Sequence, residues 1–76
     1  MIKIELKLFA TIAKYLPLSP DNFSVEDGAT IHEIIAKLGI PDFEVKLTFV
    51  NGVQQPLDYI LNDGDRLGIF PPVGGG

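Results

Sequence analysis

The chain has 76 residues, 46% of them hydrophobic and 21% charged, with a formal net charge of −4 and no cysteine. That composition describes one globular domain near the lower size limit for a core without staples, and it excludes disulfides, thiolate metal sites and cysteine nucleophiles. The net acidity disfavours nucleic acid as a partner and steers basic proteins toward the chain.

Ile2, Ile4, Leu6 and Leu8 alternate with Lys3, Glu5, Lys7 and Phe9, a period of two that marks a half-buried strand. Phe9 is the apolar exception on the polar side. The following ATIAKYLP predicts a turn or two of helix with Ile12 and Leu16 on one face, stopped by Pro17, and LSPDN predicts a loop before a short strand at Phe23 to Val25. Thr30 with Glu33 three residues on is a capping box. Ile31, Ile34, Ile35 and Leu38 fall at i, i+3, i+4 and i+7, and Gly39 stands where a left-handed C-cap is needed. KLTFV, Asn51-Gly52 and VQQ predict a tight hairpin with a type I′ turn, ended by Pro56. LDYIL predicts an irregular or 3₁₀ connection, NDGD a turn, and RLGIF a last strand with Leu67 and Ile69 inward. This order of elements predicts an α+β roll, a sheet of four to five strands with one main helix on one face and the other face open. No stretch approaches the roughly 18 apolar residues of a membrane span, so no membrane is involved and the cytoplasm is the expected location.

Few residues in the body of the chain have chemistry to offer. His32 is the only histidine and points off the apolar stripe, with no second ligand nearby for a metal. Asp63-Gly64-Asp65 has the start of a calcium loop but lacks the later ligands and the closing Glu, which leaves a plain turn. No metal site and no enzymatic centre is expected. The sequence closes on FPPVGGG, an apolar strand followed by two prolines and three glycines. Residues 1–70 are read as the folded domain and 71–76 as a flexible tail. Pro71 and Pro72 end the strand ladder and stiffen the exit, and the side-chain-free glycines can enter a narrow cleft. An extended tail from Pro71 to Gly76 reaches roughly 20 Å at about 3.3 Å per residue. The Gly76 carboxylate is anionic at neutral pH and a poor electrophile, so any acyl chemistry there needs activation by another enzyme.

KLFATIAKYL, GATIHEIIAKLG, VNG, LNDGDRLGIFPPV and the closing Gly75-Gly76 together resemble the MoaD/ThiS family of ubiquitin-like sulfur carriers, over essentially the whole chain. The resemblance implies a ubiquitin-like β-grasp fold and a carrier that is not itself an enzyme and holds no cofactor. It implies adenylation of Gly76 by an ATP-using E1-like enzyme, with Gly75 preceding it, and conversion to a thiocarboxylate that hands on sulfur. FPPV looks most like the small subunit of molybdopterin synthase, which implies the catalytic subunit of that synthase as partner. A ThiS-like carrier serving thiazole synthase, or one for another thiolation pathway, is the alternative. From another class, a ubiquitin-like protein modifier or an inert interaction domain also fits.

In a β-grasp the first and last strands are parallel neighbours. Phe9 and Phe70, both out of phase with their core residues, are then expected side by side on the open face where the tail leaves. Phe9, Phe70, Pro71, Pro72, Val73 and Gly74 are the expected partner-binding residues.

Overall fold

The computed structural model describes residues 1–72. Strand β1 (Ile2–Leu8) is followed by a 3₁₀ segment at Ala10–Tyr15, a 3₁₀ turn at Pro20–Asn22 and β2 (Phe23–Val25). Helix α1 (Ile31–Leu38) comes next, then a 3₁₀ turn at Asp42–Glu44, β3 (Leu47–Val50), β4 (Val53–Gln54) and β5 (Arg66–Phe70). The sheet runs in the order β2-β1-β5-β3-β4. Its central β1–β5 pair is parallel, with Leu6 opposite Leu67 and Leu8 opposite Ile69, and the other pairings are antiparallel. A mixed five-stranded sheet with one main helix is the ubiquitin-like β-grasp arrangement.

Alternation along the strands decides which side chains are covered. Ile4, Leu6 and Leu8 of β1 and Leu67 and Ile69 of β5 are buried with Ile31, Ile34 and Ile35 of α1 and with Ile12 and Val25. Removing this apolar surface from water is the main stabilising term, at about 25 cal/mol per Å². The helix begins as its sequence demands: the Glu33 N–H donates to Thr30 Oγ1 and the Thr30 N–H to Glu33 Oε1. It ends at Gly39, whose φ of 79° is in the left-handed region.

The helix N-terminus has a second tie that the sequence did not announce. Ile31 and His32 donate their backbone N–H groups to the carbonyls of Tyr59 and Leu57, and Leu61 N–H to the Ala29 carbonyl. The LDYIL connection is irregular, closed by a bond from Tyr59 N–H to the Pro56 carbonyl and an isolated bridge between Thr30 and Ile60. It therefore satisfies donors that the first turn of a helix leaves without partners.

Two local expectations are corrected. The segment after β1 is 3₁₀, so its period is three: Ile12 is buried and Tyr15 packs on the core, while Leu16 caps the segment in an extended conformation and stays exposed. LSPDN is not all loop, because Pro20 starts a short 3₁₀ turn. Tyr15 donates its hydroxyl to Glu44 Oε2 at 3.1 Å. Its desolvation, and then the bond to and the charge of Glu44, hold the phenol above its ordinary pKa.

The two tight turns at one end of the sheet lock together. Asn51 and Gly52 both have positive φ, 53° and 84°, as a type I′ turn requires. The Asn51 side chain then donates to Asp65 Oδ1 at 3.0 Å and accepts from Arg66 N–H at 2.9 Å. Asp65 is buried, and its second oxygen accepts from Asn62 N–H at 2.8 Å. The Asp63-Gly64-Asp65 run is thus a structural turn, with Asp63 Oδ1 accepting from the N–H of Lys3. Replacing Asp65 by Ala strands two donors and is expected to lower stability by about 1–3 kcal/mol in urea unfolding. A loss under about 0.5 kcal/mol would show that the turn lock contributes nothing.

Candidate functional site

Phe9 lies one residue beyond β1 but is still extended, and its N–H bonds to the Ile69 carbonyl at 3.3 Å. The parallel ladder therefore continues through it, and alternation carries its ring to the face away from α1. Ala10 follows with φ of 53°, a left-handed conformation that costs a non-glycine residue roughly 1–2 kcal/mol, and there the chain turns off the sheet. On β5 the same alternation turns Arg66, Gly68 and Phe70 to this open face.

The result is an aromatic cluster. Phe9 and Phe70 stack with ring centroids 4.2 Å apart and planes 4° from parallel, and Phe49 of β3 meets Phe70 edge-on at 5.5 Å. Such ring pairs add about 0.5–1.5 kcal/mol beyond the area they bury. Gly68 lies beneath them with no side chain of its own. Together with Lys7, Arg66 and Gly52, these residues line an open hollow of about 240 Å³. Phe9 remains 40% exposed, Pro71 is half-buried and Pro72 exposed where the described chain leaves the sheet.

Of the residues singled out in the sequence, Phe9, Phe70, Pro71 and Pro72 are brought to one end of this face. Val73, Gly74, Gly75 and Gly76 lie outside the described residues, as does the expected flexibility of the tail. Phe49, Gly68, Lys7 and Arg66 were not singled out. The signal for Phe49 was its alternation with the core residue Val50, and only the β3–β5 register, which sets Phe49 opposite Gly68, shows that it joins the cluster.

Charge is partitioned in a way the sequence total conceals. Nine of the ten acidic residues lie outside the strands, and Glu5 is the only acid within them. Glu5 is held at 3.3 Å from Lys7 Nζ and 3.7 Å from Arg66 Nε. The open face is therefore cationic around an apolar centre, and the expectation of a basic partner does not apply to it. Elsewhere, His32 is exposed, with Nε2 3.7 Å from Asp42 Oδ1. No cluster of three or more candidate metal ligands occurs among the described residues. No helix among them is long and apolar enough to cross a membrane.

Comparison with known proteins gives a consistent set of matches. The family model described as Mut7-C ubiquitin matches residues 1–74. Small archaeal modifier protein 3 of Haloferax volcanii is 29% identical, over 99% of this chain and 100% of that protein. A Pyrococcus furiosus structure assigned as a candidate molybdopterin converting factor, subunit 1, has a TM-score of 0.75 at 24% identity, covering 96% of this chain and 100% of that one, a likeness of fold alone. A chain in the complex of subunits 1 and 2 of the molybdopterin-converting factor from Helicobacter pylori has a TM-score of 0.57 at 25% identity, over 99% of this chain and 100% of that one.

A Cβ built at Gly68 would meet Phe9 Cε2 at 3.6 Å and Phe70 Cε1 at 3.9 Å, ordinary contact distances. Gly68→Ala is therefore expected to leave the fold intact and raise stability by about 0.4–1 kcal/mol, through a less flexible unfolded chain. A lower melting temperature would show that the rings close down on the strand more tightly than this geometry allows.

Proposed function

Because the chain belongs to the Mut7-C ubiquitin family, we propose that it is a ubiquitin-like sulfur carrier whose acceptor is the carboxylate of Gly76, with Gly75 beside it. The observation that carries this is the stack of exposed Phe9 on half-buried Phe70 at the end of β5, the strand that leads through Pro71 and Pro72 into Val73 and the glycines. An apolar docking face next to a tail without side chains is what a protein needs if another enzyme's active site is to hold its terminus. The carrier is not an enzyme and needs no cofactor of its own.

Activation falls to an E1-like partner that uses ATP. A carboxylate oxygen of Gly76 attacks the α-phosphorus and pyrophosphate leaves. A sulfur nucleophile at the sulfide level then attacks the acyl carbon, the C–O bond to AMP breaks, and a thiocarboxylate remains. The recipient is taken to be the catalytic subunit of a molybdopterin synthase, in the cytoplasm. Support for that branch comes from the Pro71-Pro72 pair and from the likeness to a chain in the Helicobacter pylori complex of subunits 1 and 2. Thiazole synthase is the corresponding recipient if the carrier serves the thiamine branch.

A second function is favoured by one specific observation, the 29% identity to a protein named as a modifier. In that case the activated Gly76 acylates lysine amines and forms isopeptide bonds. Both functions need the same free terminus. Deleting Gly76, or adding a tag after it that the cell does not remove, is expected to abolish complementation of a strain lacking the gene while leaving the melting temperature unchanged. Full complementation by the tagged chain contradicts both.

A further inference from the structure

The charge on the open face specifies the chemistry of what docks there, a question the carrier proposal leaves open. Phe9, Phe49 and Phe70 form the apolar walls, Gly68 the floor, and Lys7 and Arg66 supply charge at the edge of the hollow. Both cationic side chains are more than half exposed, at 51% and 64%. The single acid between them, Glu5, is 35% exposed and contacts both. Lys3, also exposed, lies further along β1 in a separate hollow with Asp21 and Asp63, and adds no net charge at the aromatic one. Around the aromatic hollow two cations therefore meet a single acid, in a chain whose total is −4.

We propose that this face binds an acidic protein surface that inserts one apolar side chain into the hollow, with partner carboxylates meeting Lys7 and Arg66. The proposal rests on the carrier or modifier reading only in requiring a docked protein, and it involves no chemistry at Gly76. A second copy of the chain paired face to face through this hollow would set Lys7 and Arg66 against their own kind, which like-charge repulsion disfavours. A nucleic acid would meet two exposed cations at the hollow but nine acids elsewhere on the molecule, and its phosphates need a broader basic surface. A small ligand would be poorly covered, since sites that bury one are usually enclosed clefts of about 300–1,000 Å³. An acidic protein gains both the aromatic anchor and faster, steered encounter.

The test is a selection from an unbiased displayed library of random dodecapeptides on the intact chain, followed by amide chemical-shift mapping of the enriched peptides. The expected binders carry one Leu, Met or aromatic residue flanked by Asp or Glu, and they shift the amides of Lys7, Gly68 and Phe70. Lys7→Glu with Arg66→Glu should weaken them by about tenfold or more, and raising the salt from 50 to 500 mM should weaken them as well. Glu5→Gln should strengthen them by about twofold to fivefold, because it releases both cations. That gain separates a docking role from a purely structural one, which would predict no change or a loss. Neutral or basic binders, binders unaffected by these variants, shifts elsewhere on the molecule, or no binder at all would overturn the proposal. So would saturation of the same amides by self-association or by a single-stranded oligonucleotide. Inactivity of Gly76 in sulfur transfer would leave all of these results unchanged, so the two ideas can fail separately.

Discussion

The parallel pairing of β1 with β5 at the centre of the sheet constrains everything else in the molecule. Parallel neighbours cannot be joined by a tight turn, so the chain between Leu8 and Arg66 must cross over, and α1 is the element that covers one face as it does so. One register then has two consequences. It stacks Leu6, Leu8, Leu67 and Ile69 under the helix, and it sets Lys7 opposite Gly68 with Phe9 and Phe70 just beyond on the other side. Because the side-chain period is two, a slip of one residue would bury the cations and expose the core, so the core itself fixes which residues form the open face. The turn lock of Asn51 with Asp65 holds the β3 side of the same register.

Much of this was legible before the structure. The helix could be bounded to the residue, since Thr30, Glu33 and Gly39 each have a local physical reason to be there. The Asn51-Gly52 turn and the inward Leu67 and Ile69 are equally local signals. What the sequence hid depends on geometry between distant segments. Leu16 and Tyr15 exchange roles because a 3₁₀ segment has a period of three, and nothing in ATIAKYLP distinguishes 3₁₀ from α. The LDYIL segment lacks periodicity because its task is to supply carbonyls to the helix N-terminus, a bond made over a long separation.

The candidate site divides in the same way. Phe9 and Phe70 stood out because each breaks its strand's alternation, and parallel pairing of the strands was enough to bring them together. Phe49, Gly68, Lys7 and Arg66 did not stand out, because a phenylalanine in a strand, a glycine in a strand and exposed basic residues are ordinary taken one at a time. Only the register gathers them around one hollow. Net charge misled for a related reason: it sums over the molecule, whereas a partner meets one face, and all the acids of this chain except Glu5 lie outside the strands.

The proposed function assigns recognition to the cationic and aromatic face of the sheet and chemistry to Gly76 at the end of the glycine-rich tail. The most direct test of that claim is the intact mass of the protein isolated from its own cells under non-reducing, non-nucleophilic conditions. A carrier is predicted to show a fraction in which one carboxylate oxygen has been exchanged for sulfur, absent from a Gly76 deletion. Protein found only at its unmodified mass contradicts the claim, and protein found only in higher-mass conjugates with other chains assigns it to the modifiers instead.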